Sequence, residues 1–224
     1  MTKKILVFDT ETTNLNKPFC YNIGYVIYDL DNKVKLVEKD FVCEQIWHNR
    51  ELFCTAYYAD KRPIYVSRLK GKKASMSKIG YVFQEIARDI KKYGLESVYA
   101  YNSPFDVKVM DFNSEWFKII NPIEILPVYD IRGYVHNKIA YQEEYQEFCD
   151  TNQLFTPSGN YSTTAESVYK FIKQDNEFVE EHTALADSRI ELEILLYCLD
   201  KGAKIDKDYK VYRSIKRDIK EERE

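Results

Sequence analysis

The 224 residues carry 33 Lys and Arg against 36 Asp and Glu, for a formal charge of −3, and 45% are hydrophobic. That content suffices for a buried core, is too apolar for a disordered chain, and leaves no global positive field to draw the protein onto a polyanion. No stretch approaches the ~20 apolar residues of a membrane span, and the start does not read as a signal peptide, so a cytoplasmic protein with no membrane partner is expected.

Residues 5–8 (Ile-Leu-Val-Phe) form a short unbroken apolar run, the pattern of a strand buried on both faces. Residues 21–30 are β-branched and aromatic and end in Asp31-Asn32, a turn pair, and 33–42 alternate beyond it. A strand followed by an antiparallel hairpin partner is expected there. Segment 44–73 is the weakest for order, and a connection of that size in a compact domain is usually functional or mobile. Residues 76–93 set Ile79, Val82, Phe83, Ile86 and Ile90 at helical spacing, with Gly94 as C-cap. A short buried strand follows at 98–101, and Pro104 opens a helix through 112. Residues 126–131 read as another core strand, and 162–172 and 184–199 as helices. The sum is one α/β domain over 1–200, with a mixed five-stranded sheet, helices on both faces and 44–73 as an insert. Residues 201–224 form a charged tail, and 204–224 within it mixes both charges at helical spacing, which predicts a solvated helix or a frayed end.

Five cysteines, an odd number without C-x-x-C spacing, argue for reduced and mostly buried thiols and against a thiolate zinc site. The carboxylates are more informative. Asp9 and Glu11 follow the first apolar strand, and in extended chain residues two apart share a face. Both therefore project at the C-terminal end of a central strand, where open α/β sheets bind ligands. Two adjacent carboxylates suit a hard divalent cation such as Mg²⁺ or Mn²⁺; the plain alternative is a strand end reaching solvent. Asp106 follows the second short strand, and Asp187 lies five residues after His182 in the early turns of a helix. Singly, these could be a helix-start acid, a surface acid and a capping histidine.

Together, Phe8-Asp9-Thr10-Glu11-Thr12, Asn102-x-x-Phe105-Asp106 and His182-x-Ala184-x-x-Asp187 resemble the three exonuclease motifs of the DEDD superfamily. A sister subgroup has Tyr four residues before the last Asp; Thr183 stands there, so the resemblance is to the histidine subgroup. It implies an RNase H-like fold and a two-metal 3′→5′ exonuclease. By that resemblance Asp9, Glu11 and Asp187 would hold one Mg²⁺ or Mn²⁺, Asp9 with Asp106 the second, and His182 would be the general base. Thr10, Thr12, Thr13, Asn14 and Leu15 from the first motif, with Asn102 and Phe105 from the second, would line the substrate's 3′ end. Asn14 stands where relatives often have Gly, and Asn tolerates positive φ better than most residues. Leu15 reads equally as a wedge against the terminal base or as core.

Residues 61–73 hold six basic residues and no acid, with Tyr57, Tyr58 and Tyr65 in or just before them. Cations beside aromatics suit a single strand, phosphates meeting Arg68, Lys70, Lys72 and Lys73 and bases stacking on rings. A solvated loop is the bland alternative. The expected partner is a single-stranded DNA or RNA 3′ end, with a polymerase or a second copy as further candidates. The competing reading is a catalytically silent binding module of the same fold. An aspartyl-phosphate phosphatase fits poorly, because Glu11 replaces its second Asp and His182 has no role.

Overall fold

The computed structural model describes residues 2–212, 215 and 216. Strand β1, Lys4–Thr12, lies inside the sheet, and Ile5 to Phe8 are buried because both faces are covered. It pairs antiparallel with β2 (Cys20–Asp29), which pairs with β3 (Val34–Cys43) across the expected turn. On its other side β1 pairs in parallel with β5 (Val98–Ala100), and β6 (Val128–Asp130) lies beyond. The sheet has six strands, not the expected five. Ser75–Ser77 adds β4 parallel to β3, in the order β4-β3-β2-β1-β5-β6, and its Ser-Met-Ser is too short and polar to signal a strand.

Helices α4 (Ile79–Tyr93) and α5 (Ser103–Phe117) pack on one sheet face, with Val82, Phe83, Ile86, Val109 and Met110 set against Leu6, Phe8, Ile23, Tyr25 and Ile27. α4 starts later than the periodicity suggests because Met76 pairs in β4, and it ends at Gly94, whose φ of +62° suits glycine. α5 runs past the expected stop at 112. Buried Asn113 breaks the apolar period there, but its amide donates to the Pro18 carbonyl at 2.8 Å and its oxygen accepts from the Cys20 N–H at 3.2 Å.

Segment 44–73 is built of short helices, α1 (Glu44–His48), α2 (Arg50–Phe53) and α3 (Arg62–Lys70), with a 3₁₀ turn at Ala59–Lys61. Edge-on contacts among Tyr21, Trp47, Phe53 and Tyr65 give it a core of its own, and the Arg62 guanidinium lies 4.0 Å from the Trp47 ring centroid. Rings rather than a helical period hold the segment together.

Helix α9, Ala184–Asp200, starts against the other side of β2. A Cβ on Gly24 would fall 2.0 Å from the Leu185 nitrogen, so only glycine admits this approach. Asn22 Oδ1 accepts the Ala184 N–H at 2.8 Å, and the Ser188 hydroxyl donates to the Gly24 carbonyl at 2.9 Å.

The chain packs as two compact units. One runs through Tyr129 and adds Glu180–Leu192; the other takes Asp130–Val179 and the described residues from Glu193. The second unit holds α6 (Ile131–Lys138), α7 (Glu143–Asn152), α8 (Ala165–Lys173) and the end of α9. α6 and α7 were not expected, since α7 in particular is mostly polar around buried Tyr145 and Cys149. The expected tail helix is absent from residues 204–212, and the remainder of that expectation lies outside the described residues apart from 215 and 216. The segment is docked instead: Tyr209 packs edge-on against Tyr134, and the Tyr212 N–H donates to His136 Nδ1 at 2.8 Å. Burial lowers His136 to about 4, with Arg132 adding to the shift, so the ring is neutral and accepts that bond. No helix among the described residues is long and apolar enough to cross a membrane.

Candidate active site

Asp9 and Glu11 sit on β1 directly opposite Gly24 and Asn22 of β2. Those two β2 residues receive the start of α9, so the close approach at Gly24 brings Asp187 of α9 over the same sheet positions. One carboxylate oxygen from each of Asp9, Glu11 and Asp187 lies within 4.8 Å of the other two. The expected trio is thus brought together from a strand and a helix far apart in sequence.

Asp106, in the first turn of α5, is buried, and its Oδ1 accepts from the Thr10 N–H at 3.1 Å and the Thr10 hydroxyl at 2.6 Å. Thr10, expected to meet substrate, therefore orients an acid. Burial raises all four carboxyls. Asp9 is pushed up to about 7 and Asp187 to about 9, Asp187 also by the charges of Asp9, Glu180 and Glu181. Glu11 rises by burial and then by Asp9, Asp187 and Asp106; Asp106 rises by burial and then by Asp9. Asp187 Oδ1 is buried with no hydrogen-bond partner. Acids that repel one another and an oxygen left unpaired fit a hard divalent cation, which takes carboxylate oxygens and offsets the repulsion.

A fifth acid was missed. Glu191, one helical turn beyond Asp187, is buried, and its Oε2 accepts the Tyr101 N–H at 3.2 Å. Burial raises it, followed by the charges of Asp9, Asp106 and Asp187. The i+4 spacing from Asp187 was its sequence signal.

His182 precedes α9 with φ +54° and is half-buried, its Nδ1 3.7 Å from Glu180 Oε2. Its ring stacks on Tyr58 with 4.2 Å between centroids. The turn that carries His182 leads into Ala184, whose N–H is held by Asn22, the β2 residue paired with Glu11, and this brings the stack to the acid cluster.

The other expected residues divide. Thr12 ends β1 half-buried, and Thr13 is fully buried with its N–H on the Phe19 carbonyl at 3.0 Å. Asn14 is not among the left-handed residues; its Oδ1 closes the turn by accepting from the N–H groups of Asn16 at 3.1 Å and Lys17 at 2.8 Å. Leu15 is 70% exposed, which removes the core alternative. Asn102 is exposed and left-handed at the start of α5, whereas Phe105 packs against the main core. Lys70, Lys72 and Lys73 are exposed. Arg68, expected on a phosphate, instead turns inward to Asp40 at 2.8 Å and Glu181 at 2.6 Å.

No family model and no curated protein matches the chain. Solved structures do. The nuclease domain of 3′hExo, a DEDDh family member bound to rAMP, is 12% identical with a TM-score of 0.57, covering 96% of this chain and 98% of that one. A 3′-exonuclease that recognises the histone mRNA stem-loop is 13% identical with a TM-score of 0.56, covering 90% of this chain and 65% of that one. E. coli Exonuclease I in complex with a dT13 oligonucleotide is 14% identical with a TM-score of 0.52, covering 89% of this chain but only 41% of the longer enzyme. Along alignments that take in 89% or more of it, the chain has the fold of DEDDh 3′ exonucleases.

Proposed function

We propose that this protein is a metal-dependent 3′→5′ exonuclease acting on single-stranded or frayed nucleic-acid ends and releasing nucleoside monophosphates. The observation that carries the reading is the convergence of Asp9, Glu11 and Asp187 within 4.8 Å, with buried Asp106 bonded to Thr10 between the two β1 acids and His182 in the turn that opens the helix of Asp187. Asp9, Glu11 and Asp187 would hold one Mg²⁺ or Mn²⁺, and Asp9 with Asp106 a second. Such ions, when bound, polarise the phosphate and lower the pKa of water. The chain's own residues do the rest. His182 takes the proton of the attacking water, which requires a neutral ring. Thr10 holds Asp106 Oδ1 with two bonds, exposed Leu15 borders the 3′ end, and Lys70, Lys72 and Lys73 meet phosphates upstream. rAMP in one structural neighbour and dT13 in another make both ribo- and deoxyribo-substrates eligible.

The test is digestion of RNA and DNA strands of equal sequence, labelled at either end, with Mg²⁺, Mn²⁺ or excess chelator. Stepwise shortening from the 3′ end, lost in chelator and in Asp9→Ala, supports the reading. Strand binding without any shortening would leave the silent binding module standing in its place.

A further inference from the structure

The segment read from sequence as an arm for the substrate is joined, in the fold, to the turn that carries His182. His182 holds a left-handed backbone, which a residue other than glycine adopts at a cost that neighbouring contacts can offset. Here those contacts come from the insert. Arg68 Nη1 donates to Glu181 Oε1 at 2.6 Å and to Thr183 Oγ1 at 2.9 Å, gripping the residues on both sides of His182. The Thr183 hydroxyl donates in turn to Glu181 Oε1 at 2.9 Å.

Arg68 is itself anchored. Its Nη2 pairs at 2.8 Å with Asp40, whose side chain is fully buried. Asn22 Nδ2 donates to Asp40 Oδ1 at 2.6 Å, and Asn22 Oδ1 accepts the Ala184 N–H at 2.8 Å, so the chain of bonds returns to the residues after the turn. Above it, the Tyr58 and His182 planes differ by only 11° across the stack, and the Tyr65 hydroxyl approaches the His182 carbonyl at 3.4 Å.

We propose that Arg68 and Tyr58 are positioning residues that hold the His182 imidazole in its turn beside the carboxylate cluster. This rests on reading His182 as the general base. Arg68 touches no substrate in this role; it acts through Glu181 and Thr183. Lysine would keep the charge but lacks the planar fork that reaches Asp40 on one side and the turn on the other. The insert thus ties the orientation of one imidazole to a buried carboxylate of β3.

The chain has three histidines, so the imidazole C–H resonances of the full protein can be followed one by one, with His182 identified by its loss in His182→Gln. Stacking on Tyr58 places its ring protons in the shielding region above an aromatic ring, upfield of free histidine. Arg68→Lys and Tyr58→Leu should each move the His182 signals downfield while those of His48 and His136 stay in place. Both should lower kcat by roughly 10–10²-fold, as expected for a displaced reacting group, with KM for single strands unchanged. Tyr58→Phe should retain the shift and the rate. If Arg68→Lys fails to fold, Thr183→Val, which removes one Arg68 bond at nearly constant volume, supplies the same readout. His182 signals that keep their wild-type positions in Arg68→Lys or Thr183→Val overturn the positioning role whatever the rates do. A wild-type protein that hydrolyses no strand refutes the nuclease reading, and the resonances still decide whether Arg68 and Tyr58 hold the ring.

Discussion

Stripped of divalent cations, the protein should lose stability as pH rises above neutrality. Asp187 is pushed up to about 9 and Asp9 to about 7, against an ordinary value of 3.8 for an exposed Asp. Between those limits the folded chain holds more protons than the unfolded one, so stability falls with pH by ~1.4 kcal/mol per unit for each proton held. From about pH 7 to about pH 9, Asp187 alone accounts for about 2–3 kcal/mol. For a chain of this length that is a drop of roughly 5–10 °C in the melting midpoint. His136 does not blur the result: burial lowers it to about 4, so its contribution has the opposite sign and is complete by pH ~6.5. A bound cation needs ionised carboxylates, so its stabilisation grows with pH. The assay is thermal unfolding in excess chelator and in excess Mn²⁺ across this range, for the wild type and Asp187→Asn. The chelated wild type should fall, Asp187→Asn should fall less by one proton's share, and Mn²⁺ should raise the wild-type midpoint most at the alkaline end. A chelated midpoint that holds or climbs over this range, or one equally steep in Asp187→Asn, refutes the linkage.

His182→Ala should cut kcat by ~10²–10⁴-fold while leaving cation and single-strand affinity near wild type; affinity that collapses, with kcat recovering in saturating Mn²⁺, would assign His182 to the ion instead. Replacing Lys70, Lys72 and Lys73 together by Ala should raise KM on long single strands and flatten the plot of log K against log salt by roughly 0.7 for each phosphate no longer neutralised. Dinucleotide turnover should hardly change, and an unaltered salt slope would return these lysines to solvent. Glu191→Ala removes the acceptor of the Tyr101 N–H and should cost about 1–3 kcal/mol in denaturant unfolding, whereas Glu191→Gln keeps an acceptor and should cost less.

The acid pair of β1 was legible because strand period alone puts Asp9 and Glu11 on one face, whereas Asp187, a plain surface acid by itself, was legible only through the motif it shares with His182 and Ala184. Asp106 is ambiguous by itself: an acid at a helix start is ordinary, and only its bonds to Thr10 give it a direction. Arg68 misleads for an electrostatic reason. A basic residue in a basic run reads as solvated, and nothing local announces that a buried carboxylate, Asp40, waits on a strand far away in sequence. The helices of 44–73 and α7 escaped because each is short and bound by rings or single buried residues, leaving no period to detect. The docked tail depends on Gly133, where a Cβ would meet the Tyr209 carbonyl at 2.4 Å, a steric fact without local sequence signature.

Gly24 has no side chain to offer a substrate or an ion, yet it sets the spacing on which both would depend. The carboxylate trio is split between two elements, and the contact that fixes their separation is a bare backbone opposite Asp9. A single methyl group there would prise α9 away and carry Asp187 with it, leaving every acid intact and the cluster dissolved. A mutational survey scored by cation affinity should therefore recover position 24 alongside the acids, as a lesion of architecture that no inventory of functional groups would foresee.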